Sequence, residues 1–366
     1  MSSFSSRLIA WQHRHGRHDL PWQGASPYHI WLSEIMLQQT QVATVIPYYQ
    51  RFVGSFPSIT ALASASEDQV LAHWSGLGYY ARARNLHRAA QLMVEKYRGE
   101  FPRDFEQILA LPGIGRSTAA AICAFAYHEC RAILDGNVKR VLARYCGISG
   151  HPNVKEVQAQ LWQQAEALLP LSAAKRHQQN GGADAIVAYT QGLMDLGATL
   201  CKRNKPDCAA CPVGDDCVAW QTGRVNELPT PRIRKAIPER HAIFLLILHD
   251  NHILLEKRAP TGVWGSLWCL PQLGNAASDV ADYVQQNRLA VGDKSALPVF
   301  THTFTHFKLH ITPILLHLTN KPKLLQQSGN IWLDIEDAMQ AAIPTPVRKM
   351  LAALCNSTVG QISLRC

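Results

Sequence analysis

Two carboxylates and four thiols are the residues of this chain whose surroundings point to chemistry. Glu34 falls in the apolar, helix-patterned stretch from Tyr28 to Gln41, beside Ile30, Leu37, Gln38 and Gln41 at helical spacing. Desolvation raises a carboxyl in such a stretch, which keeps it protonated near neutral pH and able to act as a general acid. Asp135 stands in the loop Ile133-Leu134-Asp135-Gly136-Asn137. One protonated and one ionised carboxyl are what cleavage of a glycosidic bond requires, the first for the leaving group and the second to stabilise or trap an oxocarbenium-like sugar. Taken alone, Glu34 reads as a satisfied structural acid; the company of Asp135 reverses that. Asn137 reads either as a hydrogen-bond partner of the sugar or the acid, or as the N-cap of a helix from Val138.

Ahead of Asp135 lies Leu111-Pro112-Gly113-Ile114-Gly115-Arg116-Ser117, a turn between two helical patterns. Gly113 and Gly115 let backbone N–H groups approach a phosphate closely, so the turn reads as a grip on nucleic-acid backbone. Cys201, Cys208, Cys211 and Cys217 follow the spacing C-x6-C-x2-C-x5-C. A zinc ribbon uses two separated C-x2-C knuckles, and only one is present, so the spacing suits a [4Fe-4S] cluster better than zinc. Lys202, Arg203 and Lys205 lie between the first two of these cysteines and would present cations to phosphate, a structural role for the cluster loop. Cys123, Cys130, Cys146, Cys269, Cys355 and Cys366 read as packed or incidental thiols.

The elements that must position these groups fall into two parts, as 366 residues suggest. Residues 4 to 220 carry helical patterns over 28–41, 67–73, 81–97, 104–110, 118–127, 138–146, 154–168 and 184–199. Residues 221 to 238, rich in Pro and Arg, read as a stiff basic linker. Residues 239 to 355 mix β-rich runs with helical patterns at 277–287 and 346–354, an α+β domain. Thirty-six Lys and Arg against 27 Asp and Glu leave +9, which favours a polyanionic partner. The N-terminus has neither a secretory pattern nor a membrane span, and ten cysteines without a disulfide pattern suit a reducing compartment. The expectation is a soluble, cytoplasmic monomer.

With these residues in place, the chain resembles the helix-hairpin-helix glycosylases. Its cysteine spacing resembles their iron-sulfur branch, which contains endonuclease III and MutY. Ser33-Glu34-Ile35-Met36-Leu37-Gln38-Gln39-Thr40-Gln41, Gly76-Leu77-Gly78-Tyr79-Tyr80 and Leu134-Asp135-Gly136-Asn137-Val138-Lys139-Arg140 resemble the MutY family of adenine DNA glycosylases over nearly the whole chain. The resemblance implies an all-α helix-hairpin-helix glycosylase domain with a [4Fe-4S] loop, followed by an α+β Nudix-like domain. It implies double-stranded DNA with A:8-oxoguanine or A:G mispairs as substrate. It also implies that Leu37, Gln39 and Tyr79 wedge beside the mispair, and that Gln38 and Gln41 meet the extruded region.

Ser117 stands where endonuclease III-like enzymes carry the lysine that forms a Schiff base, so adenine removal without strand cleavage is implied. Lys139 is then read as a phosphate contact. Residues 257–335 contain no glutamate, so a Nudix-like fold here would serve recognition, not hydrolysis. Phe304-Thr305-His306 matches the family's lesion-sensing loop, with threonine in place of the usual serine. Two other readings differ in class or substrate: a thymine or oxidised-pyrimidine glycosylase, and a non-catalytic iron-sulfur DNA-binding protein.

Overall fold

The computed structural model describes residues 3–170, 183–231, 236–274, 276–321 and 329–362. In chain order the helices before the sheet are α1 (Phe4–His15), α2 (Pro27–Leu37), α3 (Val42–Ser55), α4 (Ile59–Ser64), α5 (Glu67–Trp74), α6 (Ala81–Tyr97), α7 (Phe105–Leu109), α8 (Arg116–Tyr127), α9 (Gly136–Tyr145), α10 (Lys155–Ala167), α11 (Ala183–Thr199) and the single turn α12 (Val218–Gln221). Their starts are written locally. Pro27 opens α2, Ser66 and Gln69 close a capping box on α5, and Asp104 and Asp135 accept N–H bonds at the starts of α7 and α9. None of the helices searched is long and apolar enough to cross a membrane.

The chain divides into two compact units, Met1–Ser64 with Arg88–Arg234, and Ala65–His87 with Lys235–Cys366. The first unit is helical. Leu8 of α1, Ala120 and Ala124 of α8, Val138 and Leu142 of α9, Leu161 of α10, and Tyr189 and Leu196 of α11 share one core. Each such large apolar side chain, once buried, contributes roughly 1.5–3 kcal/mol. The alanines of α8 and Gly192 of α11 keep the helices close; a Cβ on Gly192 would lie 3.2 Å from Leu8 and Gln12.

The second unit holds a sheet built from β1 (Glu239–His249), β2 (His252–Lys257), β3 (Trp268–Cys269), β4 (Gln272–Leu273), β5 (Val291–Ala296), β6 (Phe300–Thr303), β7 (Lys308–Leu318) and β8 (Asn330–Asp334). The order is β3-β2-β1-β7-β5, with β4 on β1, β6 on β7 and β8 on β2. Strands β1 and β7 are parallel, from Glu239 opposite Lys308 to Leu248 opposite His317, and the other pairs are antiparallel. As a central parallel strand, β1 is continuously buried from Ala242 to Leu248. Helix α13 (Ala277–Gln286) covers one face through Val280, and α14 (Ile335–Gln340) and α15 (Thr345–Ile362) complete the unit. The α-then-α+β architecture is as the sequence implies.

Three details correct the sequence reading. Helix α2 ends at Leu37, not near Gln41, because Gln39 turns to φ 60° and α3 starts afresh at Val42. Residues 65–87 do not join the first unit. Asp68 accepts from Trp268 Nε1 at 3.2 Å and pairs with Lys257, and Ser75 Oγ donates to Ile343 O at 2.6 Å. The stretch read as a linker is packed as far as Leu228, which is buried with Val225 against Ala219. Those two apolar residues anchor a segment whose composition otherwise suggests solvent.

Arg144 of α9 ties that segment down. It is buried and donates through Nε to Leu228 O (2.8 Å), through Nη1 to Lys202 O (2.7 Å) and through Nη2 to Arg203 O (3.3 Å). Arg144→Ala is expected to destabilise the protein by about 3 kcal/mol or more, since several carbonyls lose their donor inside the protein. Urea denaturation of both proteins measures it.

Candidate active site

Glu34 and Asp135, 101 positions apart, are brought into electrostatic contact. Glu34 sits half-buried on α2 between the buried Ser33 and Ile35, and burial, with the charge of Asp135 adding to it, pushes its carboxyl up to about 8. Asp135 is the N-cap of α9 and accepts the Val138 N–H at 2.7 Å. Burial raises Asp135 as well, but the N–H groups of Val138 and Asn137 and the charges of Arg140 and Lys139 all favour its anion. Glu34 has no such help. The shared proton therefore belongs on Glu34 and the negative charge on Asp135.

Asn137 is not the cap, since Asp135 occupies that position. Its Oδ1 accepts from Arg140 Nη2 at 2.9 Å, and Arg140 also donates to Gly197 O (2.7 Å) and Cys201 O (2.8 Å). Gly197 permits this closeness, because a Cβ there would lie 2.6 Å from Asn137 Cβ. Ser117 Oγ accepts the Leu134 N–H at 2.9 Å and so braces the strand of chain leading to Asp135. Its hydroxyl proton is left to donate elsewhere. Lys139, read from sequence as a phosphate contact, donates to Asn153 Oδ1 at 3.1 Å.

Gln38 Nε2 lies 3.4 Å from both Gly113 O and Thr118 Oγ1, joining the end of α2 to the hairpin. Gly113 takes φ 82° and Gly115 is the N-cap of α8 without a side-chain hydrogen bond, both exposed. A helix N-terminus presented in this way suits an anion. Leu37 is half-buried, and Gln39 and Gln41 are exposed.

Cys201, Cys208, Cys211 and Cys217 line one apolar cavity with Val213, Val225 and Arg144, whose Nη1 is 3.4 Å from Cys201 Sγ. Among the described residues, no three His, Cys, Asp or Glu side chains stand together as ligands to a single ion. Burial pushes Cys208, Cys211 (to about 11) and Cys217 up, and each feels the charge of its neighbours. Crowded thiols such as Cys208, Cys211 and Cys217 become comfortable as thiolates only beside a strongly cationic group, which is what a metal cluster supplies. Lys202 and Arg203 are exposed while their carbonyls are held by Arg144.

In the second unit, the β6–β7 hairpin turns at Phe304-Thr305-His306, closed by Phe304 N to Phe307 O at 2.8 Å. Thr305 and His306 are exposed. Tyr79, 47% exposed at φ 49°, puts its hydroxyl 3.2 Å from Thr305 Oγ1. The tight turn expected from Gly76-Leu77-Gly78 is present.

The sequence reading quoted Arg140 only as part of the Leu134–Arg140 motif, without a role, and missed Arg144 four residues on. It also missed a cavity of about 270 Å³ lined by His18, Trp22, Gln23, Ile30, Ser33 and Gln191. No local pattern marks it, because its walls come from three separate segments.

The fold and site define a helix-hairpin-helix DNA glycosylase joined to a Nudix-type domain. Residues 32–167 match the HhH-GPD superfamily of base excision DNA repair proteins, and residues 242–353 match the NUDIX domain. The chain belongs to the adenine DNA glycosylase family. It is 38% identical over 350 residues to the adenine DNA glycosylase of Buchnera aphidicola (subsp. Acyrthosiphon pisum), covering 95% of this chain and 96% of that one. The human adenine DNA glycosylase is 30% identical over 414 residues, covering 96% and 73%. A thermostable thymine-DNA glycosylase of known structure is 28% identical, with a TM-score of 0.51 over 60% of this chain and 95% of that one.

Glu34 binds its proton more tightly folded than unfolded, so the stability it contributes is complete below 4.5 and is lost as pH rises toward about 8. Glu34→Gln removes that loss. Its Tm is expected to exceed that of the unaltered protein at pH 8, with the difference shrinking toward pH 5. A gap independent of pH would contradict the assignment.

Proposed function

We propose that this enzyme removes adenine mispaired with 8-oxoguanine, or with guanine, from double-stranded DNA and leaves an abasic site. The observation that carries the reading is the pair of carboxyls brought together in one site, Glu34 pushed toward its protonated form by burial and Asp135 capping α9 with N–H and cationic partners that favour its anion. Protonated Glu34 donates to adenine N7, and the C1′–N9 bond breaks as its electron pair withdraws into the base. Asp135 stabilises or captures the cation at C1′. Glu34, now ionised, takes a proton from water as the hydroxyl adds to C1′, which restores the acid.

Adenine must leave the stack first. The cavity beside Ser33 offers Trp22 and Ile30 as apolar wall and the carbonyl oxygen of the Gln191 side chain, whose Nε2 is held by Asp195, for the edge of the base. Leu37, Gln39 and Tyr79 act as wedges, with Gln38 and Gln41 near the extruded nucleotide. Gly113, Gly115 and Ser117 grip backbone phosphate, and Thr305 and His306 read the opposite base. No lysine amine stands at Ser117, so hydrolysis without strand cleavage is the outcome. Cys201, Cys208, Cys211 and Cys217 would hold a [4Fe-4S] cluster, which would supply positive charge to the four thiolates, while Lys202 and Arg203 on the same loop face DNA phosphate. Thiols spread around a cavity support a cluster over a single zinc ion.

Glu34→Gln is expected to abolish excision in single-turnover assays while retaining binding to an A:8-oxoguanine duplex. Near-normal excision by that variant would overturn the mechanism. On duplexes with A opposite 8-oxoguanine, G, C or T, the first two are cut fastest, and strands break only after alkali. The rate falls as pH rises through about 8, where Glu34 of the free enzyme loses its proton.

A further inference from the structure

The first turn of α6 carries two arginines whose work the reaction above does not use. Arg82 is buried, and its Nη2 lies 3.4 Å from Leu77 O and 3.2 Å from Gly78 O. Trp74 Nε1 donates to the same Gly78 carbonyl at 3.2 Å. The Arg82 guanidinium stands 5.3 Å from the Trp74 ring centre and 5.6 Å from that of Tyr79. The turn it grips runs through Gly76 (φ 106°), Gly78 (φ 73°) and Tyr79 (φ 49°). A tyrosine in the left-handed region persists only where its surroundings over-determine it, and Arg82 together with Trp74 supplies that constraint.

Arg84 reaches a different loop, as residues two apart on a helix point to different faces. Its Nη1 donates to Gly265 O at 2.7 Å. Gly265 lies between two left-handed residues, Trp264 (φ 58°) and Ser266 (φ 64°). The Trp264 ring packs 5.4 Å from Phe304 and 6.0 Å from His302, beneath the hairpin tip that carries Thr305. One helical turn thus holds the turn that carries Tyr79 directly and, through the Trp264 ring, supports the hairpin that carries Thr305, and the two tips meet in the Tyr79–Thr305 hydroxyl pair.

We infer that Arg82 and Arg84 are positioning residues that set the separation of Tyr79 and Thr305, and through it the preference for the base opposite adenine. This rests on the reading that those two side chains meet that base. Neither arginine touches the bond that is cut. The competing role, a contact to DNA phosphate, would weaken all duplexes alike and make binding less salt-dependent.

The test is single-turnover excision across a range of enzyme concentrations, on A:8-oxoguanine and A:G duplexes, at two salt concentrations. Arg84→Met is expected to lower the preference for 8-oxoguanine about tenfold, equivalent to about 1.4 kcal/mol. The loss appears in apparent affinity for the 8-oxoguanine duplex, with the rate at saturating enzyme unchanged. Arg84→Lys, which keeps a donor for Gly265 O, recovers most of the preference. Thr305→Val adds little to Arg84→Met, since both break the same arrangement. Arg82→Met behaves as Arg84→Met does; should it fail to fold, the Arg84 variants decide. Equal loss on both duplexes with a shallower salt dependence, or an unchanged preference, would overturn the inference. An unaltered enzyme with no preference between the two duplexes would instead overturn the reading on which it rests.

Discussion

The hydrogen bond from Val138 N–H to Asp135 is the interaction on which the first unit is organised. It makes the proposed catalytic anion the cap of α9, so the carboxylate is held by the axis of a helix and not by a flexible loop. The same bond opposes what burial does to Asp135. Glu34, on an apolar face without comparable donors, takes the proton. Two chemically similar acids are thus driven to different protonation states by a cap on one and its absence on the other.

Helix α9 is itself held from both ends. Val138, Val141 and Leu142 enter the core, while Arg140 and Arg144 reach across to α11 and the cysteine loop. Arg140 contacts Asn137 at one end and Cys201 at the other, so the loop of four thiols and the acid-bearing turn share a support. Burying Arg144 and half-burying Arg140 is costly unless their donors find oxygens, and here carbonyls of the cysteine loop, Leu228 and Gly197 of α11 provide them. Irregular backbone and buried cation satisfy one another.

The second unit solves a different problem, the display of exposed side chains from a rigid base. Its hairpin tip and the α5–α6 turn are both short, and left-handed residues recur at Tyr79, Trp264 and Ser266. Strain of this kind is tolerated only where surrounding contacts hold it, and it concentrates where a side chain must be aimed.

Much of this was legible without coordinates. The starts of α2, α5 and α7, the Gly113–Gly115 turn and the four-cysteine spacing are local, set by caps, proline, glycine and separations of a few residues, whereas α9 begins two residues before Val138 because Asp135 and not Asn137 caps it. Individual acids were visible for the same reason, since Glu34 declares its apolar helix within one turn on either side. What only the tertiary structure decided lies further apart. The meeting of Glu34 with Asp135, the transfer of residues 65–87 to the second unit, the burial of Val225 and Leu228, and the reach of Arg140 and Arg144 all join segments distant in the chain. Helical periodicity and capping extend over a turn or two, whereas these pairings depend on which buried surfaces fit together, and no short window of sequence contains both partners.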